Sequence, residues 1–234
     1  MPDLIAMLEG VAPARTVQVV TLLTDSFTKI LIPGLTVTVP LTLISFSIGL
    51  VIALVAALVQ VANVAGLKTL ARFYVWVFRG TPMLVQLYIT YFGLPMLGVR
   101  LDAFPSAVIV FSLNTGAYAA ETIRAAIVSV NPGQLEAGYC VGMSYMQTMF
   151  RIILPQAMRT AFPPLSNTLI GLVKDTSLAA NITVVEMFLA AQRIAARKLE
   201  PFVLYCEVAV IYLMICTVLT WVQRYCEKKL EPKR

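Results

Sequence analysis

Charged residues are absent from four long stretches of this chain: between Lys29 and Lys68, Arg79 and Arg100, Asp102 and Glu121, and Glu207 and Arg224. A bilayer core about 30 Å thick takes about 20 largely apolar helical residues, and these stretches supply that several times over. They predict spans near Leu35 to Val61, Thr81 to Leu97, Phe104 to Val128, Phe162 to Met187 and Pro201 to Gln223. The fold class that follows is all-α integral membrane, with five transmembrane helices. No internal repeat or low-complexity tract interrupts the pattern, so residues 1–234 read as a single transmembrane domain.

The 38 uncharged residues after Lys29 also fit a tight hairpin of two short spans, and the basic residues test that. With five spans, Lys68, Arg72, Arg79, Arg124, Arg151, Arg159, Arg224, Lys228, Lys229, Lys233 and Arg234 share one side, eleven in all. Six stand opposite: Arg15, Lys29, Arg100, Arg193, Arg197 and Lys198. That excess places the C-terminus in the cytoplasm and the N-terminus outside, with Arg193 to Lys198 dissenting. Residues before Leu35, ended by Pro33 and Gly34, predict a short helix on the outer surface. Asp3, Glu9 and the lack of a basic start argue against a cleaved leader.

Composition supports the membrane reading. The chain is 59% hydrophobic and 13% charged, against roughly 45–50% and about 25% for soluble domains. Soluble enzyme folds are thereby excluded. The formal charge of +6 comes from basic residues flanking apolar runs, with no stripe interleaved with aromatics, so no nucleic-acid partner is expected. Cys140, Cys206, Cys216 and Cys226 have no paired spacing, and ten residues rise about 15 Å along a helix, so no metal site is expected and the thiols read as small apolar fillers. Histidine is absent, and no Gly-Lys pair offers a phosphate loop.

About 33 residues from Ser129 to Ala161 separate the third and fourth spans, too many for a turn. Asn131 with Pro132 and Gln134 reads as a helix start resembling a capping box. Leu135, Tyr139, Val141 and Met143 supply apolar surface, while Gly138 and Gly142 leave one face bare for close approach. Tyr145, Met149, Ile152 and Ile153 form a second amphipathic stretch that Pro155 ends. This segment is either a loop packed on its own bundle or a socket for a soluble partner.

Glu136-Ala137-Gly138, then Gly142, then Ile152-Ile153-Leu154-Pro155 keeps every interval of the EAA loop. It resembles the pattern E-A-A, x3, G, x9, I-x-L-P of the membrane subunits of ATP-binding cassette (ABC) importers. The one departure is Gly138 in place of the second alanine. Gly34 to Thr38, Arg79-Gly80-Thr81-Pro82 with Leu84-Val85-Gln86, Ala117 to Glu121 with Arg124, and Lys174 to Leu178 extend the likeness to the polar-amino-acid branch. The resemblance implies a type I importer-like permease of the bacterial inner membrane. It further implies a second permease copy or paralogue, two ATPase subunits that bind ATP and magnesium, an extracytoplasmic substrate-binding protein, and membrane lipid as surroundings. It implies no cofactor in this chain, which would not itself be an enzyme. The segment of about 131–155 would be the coupling helix, with Glu136, Ala137, Gly138, Gly142, Ile152, Leu154 and Pro155 at the ATPase.

Ionisable groups within spans are site candidates, because each is costly in lipid unless it faces protein or water. Asn114, Tyr118 and Glu121 recur at helical spacing on one face of the third span, and Glu121 is set to pair with Arg124. This stripe either binds substrate or ties helices together. Lys174, Asp175 and Ser177 occupy a polar run in the fourth span, where the helix is either broken around a cavity or neutralised by partners on other helices. Thr81 either opens a helix start whose N–H groups face a substrate carboxylate or simply initiates a helix. Glu207 reads as a solvated boundary charge. The competing functions are a proton-coupled secondary transporter using Glu121 and Asp175, and a membrane scaffold with no transport role.

Overall fold

The computed structural model describes residues 14–62 and 65–230, with the side chain of Ala14 left out. The leader expectation, which rests on Asp3 and Glu9, lies outside the described residues, as do Lys233 and Arg234. All the described elements are helical.

Helix α1 (Ala14–Pro33) runs through a π-helical turn (Gly34–Thr38) into α2 (Val39–Val61). Helix α3 (Leu67–Gly80) is followed by α4 (Met83–Tyr88), which continues through a π turn (Ile89–Gly93) and a 3-10 turn (Leu94–Leu97). Helix α5 (Ala103–Ser129) leads to α6 (Gly133–Cys140) and α7 (Tyr145–Thr148). A third π turn (Met149–Ile153) joins α7 to α8 (Leu154–Asp175), which tightens into 3-10 helix (Thr176–Ile182). Helices α9 (Met187–Lys198) and α10 (Pro201–Leu230) complete the chain.

Among the described residues, three helices are long and apolar enough to cross a membrane: Arg15–Val61, Ala103–Ser129 and Pro201–Leu230. Tyr145–Ile182 with Met187–Lys198, bent by 53°, makes a fourth if taken as one span, and Met83–Leu97 is shorter.

Prolines explain where the sequence reading misplaced helix ends. Each π turn closes on the residue just before a proline: Val39 N–H bonds Gly34 O, Leu94 N–H bonds Ile89 O, and Leu154 N–H bonds Met149 O, ahead of Pro40, Pro95 and Pro155. Proline lacks an N–H and its ring crowds the carbonyl four residues back. A wider turn moves that carbonyl away, so the helix passes the proline without stopping. Pro155 therefore begins α8 and does not end a short helix, and the helix that carries the fourth apolar run starts well before Phe162. Pro33 and Gly34 likewise do not end the N-terminal helix; the 47 residues Arg15–Val61 form one continuous helix.

The expected outer-surface helix is in fact an extension packed along α9 and α10, where Leu22, Phe27 and Ile30 join Met187, Leu204, Val208 and Ile211. That packing covers Glu207. Its side chain is buried, with Ser26 Oγ 2.5 Å from Oε2, and is not solvated as expected.

The bundle centre is the α2–α5 crossing. A Cβ on Gly49 would lie 3.0 Å from Ser112 O, and one on Gly116 would lie 3.1 Å from Gly49 O and 2.7 Å from Tyr74 Oη. Side-chain-free crossings of this kind let helices pack by backbone contact where lipid gives no hydrophobic drive. Ala53, Ala56, Ala57, Ala119 and Ala120 extend the small-residue seam. Among the cysteines, Cys140 and Cys206 are exposed rather than fillers.

Candidate functional site

The second apolar run is interrupted at Thr81 and Pro82, whose backbones are extended. Proline cannot donate at the start of α4, and the residue before it is steered out of the α region. Thr81 thus lies at a break between two helices. The carbonyls released there are met by side chains. Gln86 Nε2 donates to Phe78 O at 3.0 Å, to Thr81 O at 3.1 Å and to Thr81 Oγ1 at 2.8 Å. Asn114 Nδ2, reaching from α5, donates to Phe78 O at 3.2 Å and to Gln86 Oε1 at 3.1 Å. Thr81 and Asn114 are therefore engaged in holding the break, and Gln86, which sequence reasoning did not single out, is its central member.

One and two turns further along α5, the same face carries Tyr118 and Glu121. Arg79 lies 5.2 Å from the Tyr118 ring centroid, a cation–π contact. Glu121 takes a forked contact from Arg124, with Nε at 3.2 Å from each carboxylate oxygen and Nη2 at 2.8 Å. Glu121, Arg124, Arg79, Arg72 and Lys68 line a cavity of about 740 Å³ between the end of α2, α3 and α5.

The polar run on α8 falls where α-helix gives way to 3-10 helix. Thr176 Oγ1 bonds Val173 O at 2.6 Å and Ser177 Oγ bonds Lys174 O at 2.7 Å, so both hydroxyls turn back onto their own backbone. Lys174 and Ser177 line a second cavity, of about 560 Å³, with Phe188, Tyr205, Tyr212 and Cys216. Asp175 is half-buried. The sequence candidates thus divide: Glu121 lines one cavity, with Tyr118 under its Arg79, Lys174 and Ser177 line another, and Thr81 and Asn114 brace the helix break.

Glu186 was missed. It is fully buried and caps α9, accepting Phe188 N–H at 2.8 Å and Leu189 N–H at 2.7 Å, with Tyr212 Oη donating at 3.0 Å. Beside it, Met187 N–H reaches Thr38 Oγ1 at 3.3 Å, in the first π turn. Acidic residues are favourable at a helix start, but Glu186 stands among Val184, Val185, Met187 and Phe188, with no local signal of a cap.

The α6–α7 hairpin is built as a small unit. Asn131 Oδ1 accepts Gly133 N–H at 2.8 Å, and Ser144 and Gln147 form a reciprocal capping box at α7. Gly142, at φ +79°, ends α6 in the left-handed region. Gly138 is buried by this chain itself: a Cβ there would lie 2.5 Å from Thr148 Oγ1 and 2.6 Å from Thr148 Cγ2. The bare face expected to await a partner is filled by α7, and Gly142 lies past the helix. What the hairpin presents outward is Glu136, Ala137, Tyr139, Val141 and Met146, all exposed, with Phe150 beside them. Ile153 and Met149 anchor it to the bundle core.

Residues 49–232 match the family of binding-protein-dependent transport system inner membrane components. The chain belongs to that family. It is a membrane permease component of an ABC transporter, not itself an enzyme. The L-cystine transport system permease protein TcyB of Bacillus subtilis (strain 168) is 52% identical over 211 residues, 90% of each chain. The glutamine transport system permease protein GlnP of Escherichia coli (strain K12) is 37% identical over 204 residues, 86% of this chain and 93% of GlnP. A solved amino acid ABC transporter with histidines superposes with TM-score 0.82 at 32% identity, covering 88% of this permease and 96% of that chain. The methionine transporter MetNI, at 18% identity and TM-score 0.74, shares the fold, covering 87% of this chain and 97% of its own. None of these likenesses supports proton-coupled transport.

Proposed function

We propose that this permease is the membrane pathway of an ATP-driven importer for polar amino acids. The supporting observation is the 52% identity with the cystine permease TcyB across 90% of both chains. In this reading two ATPase subunits bind ATP and magnesium, a second permease copy or paralogue completes the pore, and an extracytoplasmic binding protein delivers substrate. The chain runs from an outer N-terminus to a cytoplasmic C-terminus. The α6–α7 hairpin, with Glu136, Ala137, Gly138 and Gly142 and its support at Ile152, Leu154 and Pro155, receives the ATPase stroke. Exposed Tyr139, Val141 and Met146 give it apolar contact area around the Glu136 charge.

Alternating access requires elements that hold two arrangements. The braced break at Thr81 and Asn114 and the 3-10 segment after Asp175 are such places, at the two candidate cavities. Tyr118 and Glu121 on one side, and Lys174, Asp175 and Ser177 on the other, are the groups that meet the ammonium and carboxylate of the passing amino acid.

The test is ATP hydrolysis and uptake by the reconstituted transporter with its binding protein. L-cystine is the first substrate to try, with glutamine and arginine beside it. Stimulation by a polar amino acid is expected; stimulation by none, with an active ATPase, contradicts the reading.

A further inference from the structure

We propose that the cavity between α2, α3 and α5 holds the phosphate of an anionic phospholipid at the hairpin end of the bundle. Lys68, Arg72, Val75 and Arg79 recur at intervals of four, three and four, so α3 turns one face, three cations wide, into the cavity. The carboxylate in that lining, Glu121, is held by a forked contact from Arg124. Neither Arg72 nor Arg79 enters the ion pairs Arg15–Glu200, Lys29–Asp25 and Arg124–Glu121. The cavity therefore carries a cationic excess that an external anion neutralises. Guanidinium pairs with phosphate through two parallel N–H contacts, which suits Arg72 to this ligand.

Position identifies the source of the phosphate. The cavity lies where α2 ends at Val61, α3 begins at Leu67 and α5 approaches Ser129, next to the chain's turn toward the α6–α7 hairpin. Lys68 and Arg72 occupy the first turns of α3 at this end, while Arg79, over Tyr118, lies deeper. Leu70, Phe73 and Trp76 form an exposed apolar stripe on the same helix, and Trp76 and Val128, both largely exposed, also line the cavity. Cations beside an exposed Trp and aliphatic surface match a headgroup with its acyl chains alongside. Basic pockets between membrane helices take anionic headgroups in this way. A free phosphate would use Lys68 and Arg72 and leave the apolar stripe without a role, and the headgroup held at this outer end leaves the deeper Glu121 and Tyr118 to the substrate.

The proposal takes its leaflet, the cytoplasmic one, from the orientation above, but its test does not. The complete transporter, exchanged into mild detergent, is titrated with phosphatidylglycerol, phosphatidylcholine or inorganic phosphate and read by native mass spectrometry. Phosphatidylglycerol adducts should exceed phosphatidylcholine adducts and survive millimolar inorganic phosphate. Arg72→Gln should weaken them roughly fivefold, as removal of one surface cation predicts, and Arg72→Lys should restore most of the binding. Equal retention of both lipids, indifference to Arg72→Gln, or displacement of phosphatidylglycerol by inorganic phosphate would each overturn the proposal. Because detergent erases sidedness, such a result strikes the site and leaves the orientation and the transport function untouched.

Discussion

Tyr212 on α10 donates its hydroxyl to Glu186 at 3.0 Å, tying the last helix to a buried carboxylate that also caps α9 through two backbone N–H groups. With Met187 N–H on Thr38 Oγ1, this joins three parts of the chain at the 53° bend. Removing the carboxylate orphans two part-buried N–H groups, at up to roughly 1–3 kcal/mol each. Glu186→Ala should therefore lower the unfolding midpoint of the detergent-purified protein well beyond Tyr212→Phe, which deletes one donor. Equal midpoints for the two variants would contradict the capping role.

Gly138 and Thr148 fit as a notch and a plug. Gly138→Ala restores the family's usual alanine but drives a methyl into a buried β-branched side chain, an overpacking cost of typically ~1–3 kcal/mol. The variant should lose part of its ATPase association in a pull-down, and Gly138→Ala with Thr148→Ala should regain it. If the single variant binds normally, the notch has no bearing on docking.

Gln86 and Asn114 share Phe78 O and bond each other, so they act as a unit. In a double-mutant cycle of Gln86→Ala and Asn114→Ala, unfolding should show a coupling of about 0.5–3 kcal/mol. Additive losses would mean that the break at Thr81 is braced by something else.

Much of this was readable from residues alone, and the failures have physical reasons. The break at Arg79 to Pro82 and the polar stripe of α5 follow from proline chemistry and helical spacing, which are local. Pro155 misled because its cost was absorbed by a π turn just upstream, a local remedy that helix-stop rules omit. Glu186 and Glu207 misled for a tertiary reason: the side chains that bury and satisfy them, Tyr212 and Ser26, lie 26 and 181 residues away. Gly138 showed that something comes close, but only the packed hairpin shows that the something is Thr148.

The central claim is that a separate ATPase drives this permease through the exposed Glu136 face of the α6–α7 hairpin. The direct measurement is coupled uptake by the reconstituted transporter carrying Glu136→Lys, with ATPase association followed in parallel. The account predicts loss of uptake and of ATP hydrolysis stimulated by the binding protein, with the permease still folded. Normal uptake with normal ATPase association would contradict it.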